Sequence, residues 1–404
     1  MTSLTDPTAT ADRRSTDASG IVDRVRELQP LLRANSAQGE QQRRVVDESF
    51  RALEQVGAFK LLQPKRYGGY ESSMRTLVDV SAAVGEADGG TAWVVSLLNS
   101  GAWLAGCFPT RAQDEVWGDA PDALVSGVFS PLVESMKVDG GFRISGRWYY
   151  NSGSLHADWS VLSIPVTDDA GAVVDQAMAL VPRRELDLEE TWFVAGMRAS
   201  GSNCLIADGV FVPEHRLMSV PEALEGIVPT EHDDETLYHS PLGPLFTVGM
   251  VGPQLGLGRA ALALVKENVT KRSVAHTIYG RAADSVAVQL QLAQAAMMID
   301  TAHFHAHRVT DDIDSATARG EQLDFSARAR IRADIGWAIE HVVKAIDTLL
   351  YVHGAGSFAE SSPLQRIWRD SEVAGRHAGI LPMVCYEIYG KSLVDSDIRI
   401  TPVI

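Results

Sequence analysis

The chain has 404 residues, 45% of them hydrophobic and 22% charged, with a formal charge of −16. That length allows two or three domains and a full core. The charge argues against nucleic acid or an anionic membrane as partner, and no apolar run approaches the roughly 18 residues of a membrane span.

Residues 1–20 are rich in Ser, Thr, Ala and Asp without apolar periodicity, and read as a disordered, non-targeting tail. Cys107, Cys204 and Cys385 are far apart, each in an apolar context, and read as small buried hydrophobes rather than a disulfide framework. A cytoplasmic protein is expected.

A helical part is expected over 21–121. Helices are predicted over 21–32 and 39–56, then a Pro/Gly-punctuated loop at 61–70 and further helices over 73–86, 91–107 and 110–118. The helix over 91–107 is apolar almost all round, as a buried one is, and Asp88 is placed to cap it.

From about Asp122 the pattern becomes strand-like. Strands are predicted over 123–129, 134–138, 142–145, 147–151, 159–166, 173–181 and 204–212, with a tight turn at Asp139-Gly140-Gly141. They form an antiparallel barrel or sandwich domain over 122–217. An acidic, proline-bearing linker covers 218–244. Helices over 245–272, 285–314, 325–351 and 364–394 then make a four-helix bundle over 245–404.

Gly256-Leu-Gly258-Arg-Ala-Ala261 matches G-x-G-x-x-A, but it lies inside a helical run with no preceding strand. It reads as a close helix contact, and no site for a nicotinamide nucleotide is expected. His303, His305 and His307 read as a partly solvated helix face without a third metal ligand. Ser152 has no G-x-S-x-G elbow. On its own pattern, His377 is more readily a core histidine than a functional one.

The helices–sheet–bundle order resembles the acyl-CoA dehydrogenase fold, an α+β architecture. Several segments carry the likeness: Gly146–Ser154 (GRWYYNSGS), Met197–Ser202 (MRASGS) with Val210-Phe-Val-Pro213, and Pro363–Asp370 (PLQRIWRD). Where many dehydrogenases carry a Glu-Gly-Thr base, this chain reads Arg376-His377-Ala378-Gly379. Ser152-Gly153, His156-Ala-Asp-Trp159 and Thr91-Ala-Trp93 look more like the two-component, reduced-flavin monooxygenases.

That resemblance implies an oxygenase component taking reduced FMN or reduced FAD from a separate NAD(P)H-dependent reductase. With O2 it would form a C4a-hydroperoxide that hydroxylates an aromatic or polycyclic small molecule, in a homotetramer. An acyl-CoA dehydrogenase-type flavoprotein and an N- or S-oxygenase are the alternatives. By the same resemblance Ser152 bonds flavin N5, and Tyr150, two residues earlier on the same strand face, lies against the ring. His377 stands beside flavin and substrate and manages protons. Arg272 and Ser357, the latter from a neighbouring subunit, are candidates for the flavin phosphate. His276 replaces a diphosphate arginine and leans the reading toward FMN. Gly101 falls where phenol hydroxylases carry a substrate histidine, which implies an open pocket and a substrate bulkier than one ring.

Overall fold

The computed structural model describes residues 18, 20–129, 133–168, 170–396, 398–401 and 404. Apart from Ala18 and Gly20, the expected tail lies outside them. Helix α1 (Ile21–Gln42) runs straight through the break expected after residue 32. Its small residues Ser36 and Gly39 are buried there, and a Cβ on Gly39 would sit 3.5 Å from Ala199 Cβ. What reads as a polar break is a close contact. Then come α2 (Asp47–Gln55), α3 (Met74–Gly85) and α4 (Gly89–Gly106). Asp88 caps α4 as expected, its carboxylate accepting from Thr91 N at 2.8 Å, and every residue of α4 is buried. Helix α5 (Thr110–Trp117) closes the first helical region.

Eight strands follow among the described residues: β1 (Val125–Val128), β2 (Val133–Val138), β3 (Gly141–Asn151), β4 (Trp159–Thr167), β5 (Val173–Pro182), β6 (Asp187–Glu189), β7 (Asn203–Pro213) and β8 (Leu217–Ser219). They form two open four-stranded sheets, ordered β1-β4-β5-β8 and β2-β3-β7-β6, rather than a closed barrel. The β2–β3 hairpin turns at Gly140, φ +75°, as expected. One pairing departs from an all-antiparallel sheet: β1 lies parallel to β4. Between the sheets Trp148, Ile144, Leu162, Ile164 and Leu205 make a core, and Trp148 Nε1 donates across it to Ser163 O at 2.9 Å.

After α6 (Val220–Leu224) come α7 (Leu242–Val248), α8 (Val251–Val269), α9 (Val286–Ala318), α10 (Phe325–His353), α11 (Pro363–Ala374) and α12 (Pro382–Leu393). The stretch Leu242–Val269 is apolar and long enough, by composition, to cross a membrane, contrary to the expectation from sequence; 72% of its most apolar window is buried inside the fold. The G-x-G-x-x-A segment makes the close contact expected of it. A Cβ on Gly256 would come within 2.3 Å of Ala82 O on α3. The fourth bundle helix is broken in two. Pro382 cannot continue an upstream helix, because its ring blocks the preceding turn, so α12 starts afresh at it. The break places His377 in a bend between α11 and α12 instead of on a helix face.

Candidate active site

Strand β3 reaches the site through an irregular end. Its register against β7 shifts between Trp148 and Asn151, and Tyr150 sits at φ +68°, the left-handed region that a tyrosine rarely adopts. The shift separates two residues expected on one face. Tyr150 is 66% exposed and meets Trp192 edge-on, with ring centroids 5.8 Å apart, whereas Ser152 is buried. A regular strand would keep residues two apart together; the bulge does not.

Ser152 begins a tight turn whose next residue must be glycine. Gly153 has φ +76°, and a Cβ there would lie 2.9 Å from a Leu98 methyl. Gly153 N donates to Ser200 O at 3.2 Å, fastening the turn to the MRASGS segment. The Ser152 hydroxyl accepts from Trp93 Nε1 at 3.1 Å and shares a hydrogen with Ser202 Oγ at 2.7 Å. The Trp93 ring in turn lies 5.7 Å from the His377 ring. Two residues 225 positions apart in the sequence are therefore joined through one indole.

His377 is half-buried, in the bend beside Met250 and Gly379. Its Nδ1 accepts from Gly379 N at 3.1 Å. A backbone N–H can only donate, so the neutral ring carries its hydrogen on Nε2. Burial, reinforced by the positive charge of Arg332, lowers its pKa to about 4. His377 is thus a neutral donor at ordinary pH, and its one acceptor nitrogen is already occupied.

The segments quoted for the resemblance act as braces. Asp370 Oδ1 accepts from Met197 N at 2.5 Å, and Arg369 pairs with Glu40 at 2.5 Å and reaches Ala195 O. Burial first, and then the Asp88 carboxylate, raise Asp370 to about 7. Asp370 holds the head of MRASGS, and Asp88 caps the helix that carries Trp93.

Gly101 requires a correction. A Cβ on it would come within 2.0 Å of Val125 O and 2.7 Å of Val125 C. The glycine lets α4 lie against the backbone of β1, so it borders no open pocket. The expectation of a bulky substrate loses its support with it.

Arg272 and Ser357 meet at another place. Arg272 follows α8 and donates to the carbonyls of Val352 and His353, while Ser357 is fully buried with its hydroxyl on Gly354 O at 2.7 Å. Met250, beside His377, precedes the 19-residue α8, whereas Arg272 follows it. At 1.5 Å per residue the two groups stand roughly 28 Å apart along that helix.

A flavin's polar edges fit what both places present. Among the described residues, the buried Asn151 amide and the Ser154 hydroxyl beside Ser152 have no hydrogen-bond partner, and beside Arg272 neither do its own Nε and His353 Nδ1. Buried polar atoms are ordinarily satisfied. Elsewhere, His303 and His307 of α9 share a face, their ring centroids 5.8 Å apart; His305 and His307 are partly solvated, as expected, and His303 is more buried. His303 is buried against Arg259, His305 bonds Asp334 and His307 bonds Asp79. Cys107, Cys204 and Cys385 are free and buried. Trp93 and Ser202 were not singled out from sequence as site residues, although both lie in the quoted motifs; an indole N–H buried beside a serine-rich turn was the available signal.

Comparison with known proteins gives the family. Residues 248–382 match the family "Acyl-CoA dehydrogenase, C-terminal domain". The oxygenase subunit HsaA, a flavin-dependent monooxygenase of Rhodococcus jostii (strain RHA1), is 32% identical over 91% of this chain and 97% of its own. The oxygenase component of the FADH2-dependent resorcinol hydroxylase of Rhizobium sp. (strain MTP-10005) is 31% identical over 88% of this chain and 90% of its own. The structure of XiaF from Streptomyces sp., solved with FADH2 and glycerol, superposes with a TM-score of 0.89 at 37% identity, covering 95% of this chain and 97% of that one. The dehydrogenase alternative gives way to the monooxygenase reading. The chain belongs to the oxygenase components of two-component flavin-dependent monooxygenases, enzymes of the acyl-CoA dehydrogenase fold that work with reduced flavin, O2 and a separate flavin reductase.

Proposed function

We propose that the chain hydroxylates an aromatic small molecule in the cytoplasm, with the flavin ring held between Ser152 and His377. The observation that carries this reading is the Trp93 indole, which touches both. Bound reduced flavin supplies the activation of O2. Ser152 holds a hydroxyl at the ring nitrogen N5. His377 donates from Nε2 to an oxygen of the substrate or of the reacting group. It is poorly suited to removing a phenolic proton, since its acceptor nitrogen is occupied. The substrate therefore presents an acceptor oxygen, as a phenolate or a carbonyl-bearing aromatic does.

Reduced FAD is the favoured cofactor over reduced FMN, against the lean drawn from His276, because the XiaF and resorcinol hydroxylase relatives are both described with FADH2. Arg272 and Ser357 take its phosphates from a neighbouring copy, since their own chain holds them roughly 28 Å from the Ser152 end of α8. A homotetramer supplies such neighbours. The test is anaerobic titration of the protein with reduced FAD and reduced FMN. Saturable binding that weakens in Arg272→Ala is expected, with Ser152→Ala weakening the oxidised flavin most; binding of neither reduced flavin would end the reading.

A further inference from the structure

The row of hydroxyls behind Ser152 has no part in the function above. Ser152 Oγ lies 2.7 Å from Ser202 Oγ, which lies 2.7 Å from Ser200 Oγ, and Trp93 Nε1 donates to Ser152 from the other side. Ser152, Ser202, Ser200 and Trp93 are all at most 5% exposed. Such a row, sealed in the protein, is no route for protons to solvent. It can set the direction in which its first member points.

A hydroxyl has one hydrogen and two acceptor positions. The indole can only donate, so it fills one acceptor position on Ser152 permanently. If Ser202 donates as well, the second is filled, and the Ser152 hydrogen has nowhere to go but outward. Backbone contacts hold the serines and the indole in place independently. Gly153 N bonds Ser200 O, Asp370 holds Met197 N at the head of the MRASGS segment, and Asp88 caps the helix bearing Trp93.

We propose that Trp93 and Ser202 are positioning residues that make Ser152 a donor only, able to bond a ligand's lone pair and unable to accept a ligand's proton. The proposal rests on the flavin-site reading above. At N5 of a flavin the distinction matters. Oxidised N5 is an acceptor that such a serine bonds well. Reduced N5 carries a hydrogen, and a serine without a free acceptor position offers that hydrogen no base. Losing the Ser202 hydroxyl reopens one acceptor position. Ser152 then rotates between donating and accepting.

The experiment measures dissociation constants for oxidised and for anaerobically reduced FAD, with FMN in parallel, on the full chain and on Ser202→Ala, Ser202→Thr and Ser152→Ala. Ser202→Ala is expected to weaken oxidised flavin about 3- to 10-fold, the range of one hydrogen bond, while changing reduced flavin less than about twofold. Ser202→Thr, which keeps the hydroxyl, should restore the wild-type ratio. A merely structural role would weaken both forms together, and that result overturns the proposal. So does a Ser202→Ala chain unchanged in both forms while Ser152→Ala loses oxidised flavin. If Ser152→Ala binds both forms as the wild type does, Ser152 is not at the flavin, and the flavin-site reading falls together with the proposal.

Discussion

The His377 side chain changes meaning between sequence and structure. Its residue type suggests a group that titrates near neutrality, but burial beside Arg332 holds its pKa at about 4 and Gly379 N fixes its hydrogen on Nε2. It should stay neutral from pH 5 upward, so the pH profile of product formation should show no inflection near 6.5 arising from it. His377→Gln keeps a donor of similar reach and should lose about tenfold less activity than His377→Ala, the scale of one hydrogen bond to a charged oxygen. A histidine inflection near 6.5 that vanishes in His377→Gln would show a base instead. Ser152 was singled out by its motif, whereas Trp93 as its partner was not, because the two are 59 positions apart and only folding brings the indole N–H to the hydroxyl. Tyr150 was misplaced for a related reason: a bulge depends on the opposing strand, which a local alternation pattern does not record.

Among elements, Asp88 was legible as a cap because a cap is local chemistry, side chain to the third residue on. The parallel β1–β4 pair was not, since its partners are over thirty residues apart and nothing local encodes direction. Pro382 stood in the sequence as a helix breaker, yet apolar periodicity on either side of it suggested one helix. Gly101 illustrates a real ambiguity, because a glycine in a buried helix can mark either a cavity or a close contact. The contact makes a definite prediction. Gly101→Ala puts a methyl into the Val125 carbonyl, and should destabilise the protein by about 2–3 kcal/mol, read as a drop in Tm. An unchanged Tm would mean the α4–β1 contact is looser than described. At the α8–α9 contact, burial and then Arg259 lower the His303 pKa to about 3. The unfolded chain binds a proton there below about 6.5 that the folded chain refuses, so stability falls as pH falls through that window. Between pH 7 and 5 this one group accounts for roughly 2 kcal/mol. His303→Gln should flatten the Tm–pH slope over that range; a slope unchanged in the variant would refute the assignment.

On the scale of the molecule, the order of helices, sheet and bundle was readable because each region has its own period, 3.6 or 2, and the change falls at recognisable turns. What was hidden is the distance between the two candidate flavin contacts. Ser152 and His377 stand at one end of α8, Arg272 and Ser357 at the other, roughly 28 Å away. A single chain therefore does not close the proposed site. A preparation mixing Ser152→Ala with Arg272→Ala chains should recover part of the flavin binding that each variant lacks alone, because some sites in the mixed assembly pair two intact halves. No recovery would place both halves in one chain. The most direct measurement of the whole account is hydrogen peroxide release after the anaerobic complex with reduced FAD is mixed with oxygenated buffer. The wild type should release peroxide far more slowly than free reduced FAD, and Ser152→Ala should release it several-fold faster than the wild type. Release from the wild type as fast as from free flavin would contradict the account.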